Sequence, residues 1–461
     1  MDRRSFIKAG SLGVASVGLS RFDFHGNSIQ TSKSSKITID EVSCDFEREP
    51  LVRPFGFKGG YMKEIWQTAA FMRSTSGKSK IGLCTQNVLW SDAKVFSSHP
   101  ESIANTLMFN LTGHVLSQIK GTSFLTPPDL LDAVLEEAMN YAKKVTSNEQ
   151  LRKTFVLNSL VGVDNAAWLL YAAENGLSSF DDMIPAEYRP GLAMHHDKVA
   201  SIPLMAYNIP VNEIKAAVDS GYFFMKIKIG QPGTQHEMLE KDMARLTEIH
   251  KAIGNSVTPY TSNGRLPYYF DANGRYEKKE TLMRLLDHAR KIGAFDQIAI
   301  IEEPFPEEAE IDIRDIPVRI AADESAHTDA DALVRIQMGY RAIALKAIAK
   351  TLSMTLRIIK TAREHSIPCF CADLTVNPVL VEWNKNVAAR LDPFPGLGLG
   401  LLETNGHQNY RNWEQMRSYH PYPTAQWSQT DRGLFRLDKS YYDTSGGIFV
   451  EPQHYRMMFE K

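Results

Sequence analysis

Phe270-Asp271-Ala272-Asn273, Ile301-Glu302-Glu303-Pro304 and Ala322-Asp323-Glu324 follow one another at intervals of about one strand–helix unit. Each closes an apolar, strand-like run on an acid. Carboxylates at the ends of successive parallel strands can converge on one point, and their mutual repulsion there calls for a cation. Three such groups suit a hard, oxygen-seeking divalent ion, Mg2+ most simply, with Mn2+ as the alternative.

Working outward, apolar runs alternate with amphipathic stretches from residue 202 onward. The runs cover 202–209, 223–229, 268–272, 297–301, 319–322, 342–346, 368–372 and 397–402. Helical spacing fills 237–253, 278–292, 329–338, 354–365 and 378–390. Eight strands with helices between them predict a (β/α) barrel rather than an open sheet. Residues 258–267 lengthen one connection and read as a surface insertion. Upstream, 36–42, 65–73 and 80–89 read as strands, with helices at 103–115, from Thr126-Pro127-Pro128-Asp129 onward, and at 157–173. The expected division is a leader and linker over 1–36, an α+β capping domain over 37–195, a barrel over 196–402, and a C-terminal segment over 403–461 that packs back on the cap.

Two lysines lie upstream of the acids, in Phe224-Met225-Lys226-Ile227-Lys228-Ile229-Gly230. Period two aims both to one side of a strand. Burying lysines unpaired is costly, which argues against a packing role. Crowding two ammonium groups with partial desolvation predicts a lowered pKa and a usable base. Lys346 ends Ala342-Ile343-Ala344-Leu345-Lys346, four strands on, and is expected to reach the same site from the opposite wall. Lys350 shares its parity and is the rival.

This ordered set resembles the muconate lactonizing enzyme subgroup of the enolase superfamily. Asp164-Asn165-Ala166-Ala167-Trp168-Leu169-Leu170 is similar to that family's helix leading from cap to barrel. The resemblance implies a modified (β/α)8 TIM-type barrel with an α+β capping domain, and Mg2+ on Asp271, Glu302 and Asp323. It implies Lys228 as the base on one face, assisted by Lys226, and Lys346 as base or acid on the other, with Asn273 and Glu324 orienting them. The reaction it implies is removal of a proton α to a carboxylate through a metal-stabilised enediolate. Racemisation or epimerisation leads; β-elimination of a sugar acid and cycloisomerisation are alternatives. A non-catalytic acid-binding protein is the reading from a different class. The chain departs from the family in having Lys350-Thr351-Leu352-Ser353 where a Gly-Gly pair is usual, and Leu402-Glu403-Thr404-Asn405-Gly406 where dipeptide epimerases carry Asp-x-Asp. Candidate substrate contacts are Phe57 and Lys58 in the cap, with Asp373 and Glu403 at strand ends. Trp90-Ser91-Asp92 is a second cap loop, and Asp373 has the rival role of capping the next helix. Family members often associate, so the resemblance makes a homo-oligomer possible without fixing the oligomeric state.

The net charge of −2 offers no basic field for nucleic acid or a membrane surface. Four cysteines, with Cys369 and Cys371 on one strand face, read as packing residues. Gly396, Gly398 and Gly400 read as strand glycines at a crowded barrel position, and His195-His196 as part of the domain connection. At the N-terminus, Arg3-Arg4 with Phe6 and Lys8 precedes a weakly apolar stretch, 9–19. This resembles a twin-arginine export signal, predicting use of that export machinery and a periplasmic location.

Overall fold

A computed structural model describes residues 36–57 and 60–460. The twin-arginine motif lies outside the described residues.

The N-terminal part is an antiparallel sheet, β1 (Ile37–Phe57), β2 (Gly60–Ser74), β3 (Ser79–Gln86) and β4 (Ser123–Phe124), in the order β3-β2-β1-β4. Helices Glu101–Ile119, Pro127–Thr146 and Lys153–Glu174 pack with it. Thr126 starts the second of these: its side chain accepts from Asp129 N–H while the Asp129 carboxylate accepts from Thr126 N–H. The third is long and apolar enough to span a membrane, yet it is buried as the core helix of this fold. It can lie so close to β3 because Gly82 and Gly162 face each other. A Cβ on Gly82 would sit 2.0 Å from the Gly162 carbonyl oxygen and 2.3 Å from Ala166 N. Backbone cannot retreat as a side-chain tip can. Gly82→Val is therefore expected to lower the unfolding free energy by at least ~3 kcal/mol, read from the urea midpoint, the upper end of ordinary overpacking costs.

The barrel strands are β5 (Lys198–Ile202), β6 (Leu204–Met205), β7 (Met225–Lys228), β8 (Tyr268–Asp271), β9 (Ile298–Glu302), β10 (Ile320–Ala322), β11 (Ala342–Leu345), β12 (Cys369–Cys371) and β13 (Gly400–Glu403). Neighbours pair in parallel from β6 through β13, and β13 pairs in parallel with β5. β5 and β6 are one strand interrupted at Pro203, which has no N–H to donate. That broken strand joins both ends of the sheet and closes the ring. The first barrel strand thus starts at Lys198 rather than at 202, and 206–209 are turn. Helices follow the strands except after β9, where 303–319 run without one.

Strand parity divides the barrel residues. Phe224, Tyr269, Ile300, Ala321, Ala342, Ala344, Phe370, Ala372 and Leu401 fill the interior as one apolar cluster. The alternating residues, Cys369 and Cys371 among them, join the larger core that also holds the helices. One step further along the inward rows of β7 to β11 and of β13 the side chain becomes charged: Lys226 and Lys228, Asp271, Glu302, Asp323, Lys346, Glu403. The fold therefore places every one of these at the C-terminal rim, where barrel sites form.

The C-terminal segment touches both parts. Arg411 N–H donates to the Pro50 carbonyl and His454 meets Glu47 at 2.8 Å on the cap. The hairpin of β14 (Thr430–Asp431) and β15 (Leu434–Arg436) adds antiparallel to β5 of the barrel. The glycine expectation needs correction. Only Gly400 is crowded, a Cβ there meeting the Ala388 carbonyl at 2.3 Å. Gly396 and Gly398 have φ of +90° and +67° with open space around them, so they serve the turn before β13.

Candidate active site

The charged rim encloses a small cavity of about 40 Å³. Lys226, Lys228, Asp271, Asn273, Asp323, Glu324, Lys346, Asp373 and Glu403 line it, and Phe55, Asn87 and Trp90 roof it from the cap. The cap loop 55–60 belongs to the β1–β2 hairpin, whose pairing extends to Phe57↔Gly60. Phe57 closes β1, and its side chain and Lys58 lie outside the described residues; Phe55 from the same strand reaches the cavity.

The buried Lys226 ammonium donates to Glu302 Oε1 at 2.8 Å and Glu403 Oε2 at 3.1 Å, and pairs with Asp271 Oδ2 at 3.1 Å. Lys228 donates to Asp271 Oδ2 and Asn273 Oδ1, each at 2.5 Å. Across the ring, Lys346 donates to Asp323 Oδ2 at 2.5 Å and lies 4.3 Å from the Trp90 ring centroid. Lys350 points elsewhere. It is fully buried and donates to the backbone carbonyls of Asp323 at 2.7 Å and Ala326 at 3.0 Å. Of the two rivals, Lys346 faces the cavity.

Glu302, Asp323 and Glu324 have carboxylate oxygens that all lie within 4.8 Å of one another. Asp271 sits beside this group, held by the two β7 lysines. Glu324 enters because Glu303 shapes the turn: Glu303 Oε2 accepts from Asp323 N–H at 2.8 Å and Ser325 N–H at 3.1 Å. Asn273 Nδ2 donates to Glu324 Oε1 at 2.9 Å, and Glu324 Oε2 is buried with no hydrogen-bond partner among the described residues. An all-oxygen cluster with a spare buried carboxylate oxygen is what a divalent cation needs, so these residues fit one.

The electrostatics follow from this crowding. Burial pushes Glu302 well above the carboxylate range, and Asp271 and Asp323 add to it against the opposing Lys226 charge. Asp271 goes the other way: Lys226 and Lys228 outweigh burial and hold it at about 2. Asp323 is likewise lowered against burial, by Lys346 and Lys350. The expected drop in lysine pKa does not occur at Lys226. Burial does act downward there, but Asp271, Glu302 and Glu403 overwhelm it and raise the ammonium well above its ordinary value. Asp373 is pushed up to about 7 by burial and by Glu403. It accepts from Asn405 N–H at 2.7 Å rather than capping the next helix, a role taken by Asn377.

Two contributors, Glu303 and Tyr269, escaped the sequence reading, and Trp90 was expected only as part of a cap loop. Glu303 has no strand position to mark it. Tyr269, inward on β8, donates its hydroxyl to Glu302 Oε2; its parity with Asp271 was the available signal. The buried Trp90 indole N–H, on the cavity roof, has no partner among the described residues.

Residues 211–395 match the model of the family described as enolase C-terminal domain-like. No curated protein matches. Among solved structures, a mandelate racemase/muconate lactonizing protein from Herpetosiphon aurantiacus aligns with a TM-score of 0.59 at 14% identity, covering 87% of this chain and 96% of its own. A dipeptide epimerase from Methylococcus capsulatus, complexed with Mg and L-Arg-D-Lys, aligns at 0.56 with 20% identity, covering 81% and 92%. The L-Ala-D/L-Glu epimerase of Bacillus subtilis, in a substrate-liganded complex, aligns at 0.57 with 15% identity, covering 81% and 91%. At these identities the likeness establishes the fold.

Proposed function

We propose that this chain, whose residues 211–395 belong to the enolase C-terminal domain-like family, is an enzyme that removes a proton α to a carboxylate and returns one to the opposite face, racemising or epimerising a small carboxylic acid. The observation that carries this reading is the placement of Lys228 and Lys346. Lys228 ends β7 and Lys346 directly follows β11, four strands apart in an eight-strand ring, and both line the cavity that the acid cluster faces.

Glu302 and Asp323, with Glu324 and Asp271 beside them, would hold a Mg2+ ion, which supplies positive charge to the substrate carboxylate as the α-carbon proton leaves. The rest falls to the protein. Lys228 takes the proton on one face, Asn273 and Asp271 fixing where its Nζ sits. Lys346 stands on the other face, braced by Asp323 and covered by Trp90. Lys226 spreads one positive charge over three carboxylates and offsets their mutual repulsion. The cap residues Phe55, Asn87 and Trp90 keep bulk water from the reacting carbon.

A panel of carboxylic acids incubated in deuterated water with Mg2+ tests the reading by mass spectrometry and chiral chromatography. Deuterium uptake with inversion is expected. Formation of a keto acid would establish elimination instead. Ligand binding without any exchange would establish a binding protein. Export is proposed separately, on Arg3-Arg4 with Phe6, Lys8 and the weakly apolar stretch 9–19: replacing both arginines by Lys is expected to leave the protein in the cytoplasm of a bacterial host, and unchanged periplasmic recovery would overturn it.

A further inference from the structure

Two sequence features stand outside the catalytic rim: the insertion at 258–267 and the glycine turn at 395–399. They meet at the opposite end of the barrel. There, at the N-terminal ends of the strands, a cavity of about 670 Å³ is lined by both, together with the residues that lead into β9 through β12. The insertion is a closed loop, Thr258 N–H donating to the Gly264 carbonyl at 3.0 Å.

Three arginines face this cavity: Arg265, Arg319 and Arg341. None forms an ion pair with a carboxylate among the described residues. Arg265 uses one guanidinium nitrogen on the Gly254 carbonyl at 3.0 Å and on Asn255 Oδ1 at 3.1 Å. Arg341 uses one on the carbonyls of Ile316 and Val318, which anchors it in place. The Arg319 guanidinium, half-buried, makes no hydrogen bond to the described residues and lies 5.1 Å from the Phe394 ring centroid. Burial, and then the Arg341 charge beside it, lower its pKa. The only acid on the cavity wall is Asp296, and it too forms no ion pair among the described residues. Arg319 is half-buried and Arg341 and Arg265 are exposed, so two neighbouring guanidinium groups without a carboxylate partner among the described residues favour an anion that supplies the counter-charge.

We propose that this cavity is a second binding site, for a small polyanion carrying a phosphate group or several carboxylates. Arg319 and Arg341 form a fork that grips two of its oxygens, and Arg265 closes on a third. Ser262 and Ser366 on the cavity wall supply hydroxyls to the same group. The site is separate from the catalytic one: Arg341 and Lys346 flank β11 at opposite ends, roughly 15 Å apart at the usual strand rise.

Titration calorimetry of the full chain with Mg2+, at constant ionic strength, tests this with inorganic phosphate and with tricarballylate in separate runs. Saturable binding is expected for at least one. Arg319→Gln is expected to weaken it tenfold or more, because a bidentate charge-assisted pair is lost, while Asp296→Asn tightens it severalfold. Stronger phosphate binding identifies a phosphate group as the ligand chemistry; stronger tricarballylate binding identifies a polycarboxylate. No saturable heat with either anion, or affinity indifferent to Arg319→Gln, overturns the proposal. Should Arg319→Gln fail to fold by circular dichroism, Asp296→Asn carries the test, and unchanged affinity there is the overturning result.

Discussion

Lys346→Met is expected to abolish racemisation while leaving one-sided α-proton exchange with solvent. In this variant Lys228 still stands on its own face of the substrate, so one enantiomer of the substrate should continue to wash its α-proton into deuterated water. Lys228→Met should show the mirror-image result, exchange of the other enantiomer alone. Removing a positioned acid–base group costs about 10²- to 10⁴-fold, so interconversion should fall by at least ~10³ in either variant. The measurement is enantiomer-resolved exchange by mass spectrometry. The assignment fails if both variants lose or keep exchange of the same enantiomer, since a single base would then serve both faces. Lys350→Met belongs in the same series. Its ammonium is tied to two backbone carbonyls away from the cavity, so it should reduce stability and leave the enantiomer pattern intact.

Asp323→Asn is expected to be the most damaging single change at the rim. The carboxylate lies at the centre of the site: it braces Lys346 at 2.5 Å, meets Lys350 at 3.4 Å, and belongs to the three-acid cluster. Its pKa is lowered by those two lysines against the pull of burial, so the ionised form is the one the fold depends on. The isosteric amide leaves two buried ammonium groups without their counter-charge. Breaking a buried ion pair from one side costs about 3–5 kcal/mol, and two lysines share this partner. Urea unfolding followed by tryptophan fluorescence should show a loss of that size, and calorimetry should show Mg2+ affinity falling with it. If the Asp323→Asn variant keeps native stability and still binds Mg2+, Asp323 holds neither role. Glu403→Gln gives a useful contrast, because Lys226 keeps Asp271 and Glu302 when Glu403 loses its charge.

The barrel and much of its rim could be read from the chain because strand parity is local. Tyr269 and Asp271, Ile300 and Glu302, Ala342, Ala344 and Lys346 each share a face by simple alternation, and the apolar-to-charged change along each row marks the end that becomes the site. The cap helix at Thr126 was legible for the same kind of reason, since a Thr-Pro-Pro-Asp start satisfies its own first-turn donors. Legibility failed where the chain leaves regular structure. The first barrel strand breaks at Pro203, and its two halves pair with β13 and β7, strands about 175 residues apart in sequence. Trp90 gives no sign in sequence that its indole will cover a lysine of the barrel.

The amino-acid order alone determined which residues are strand-borne, which of them look inward, and in what sequence acids and lysines arrive around the ring. Each of those properties depends on neighbours two to four positions away. Tertiary structure alone decided between Lys346 and Lys350, which have the same parity. After β11 the backbone turns, Lys350 N–H bonding the Lys346 carbonyl at 2.7 Å, and that turn swings Lys350 away from the cavity. It likewise decided that Glu324, outward by simple alternation, joins Glu302 and Asp323, because Glu303, just past the end of β9, grips the amides on either side of it. A side chain beyond a strand end takes its direction from the contacts that hold the turn, and those come from distant parts of the chain.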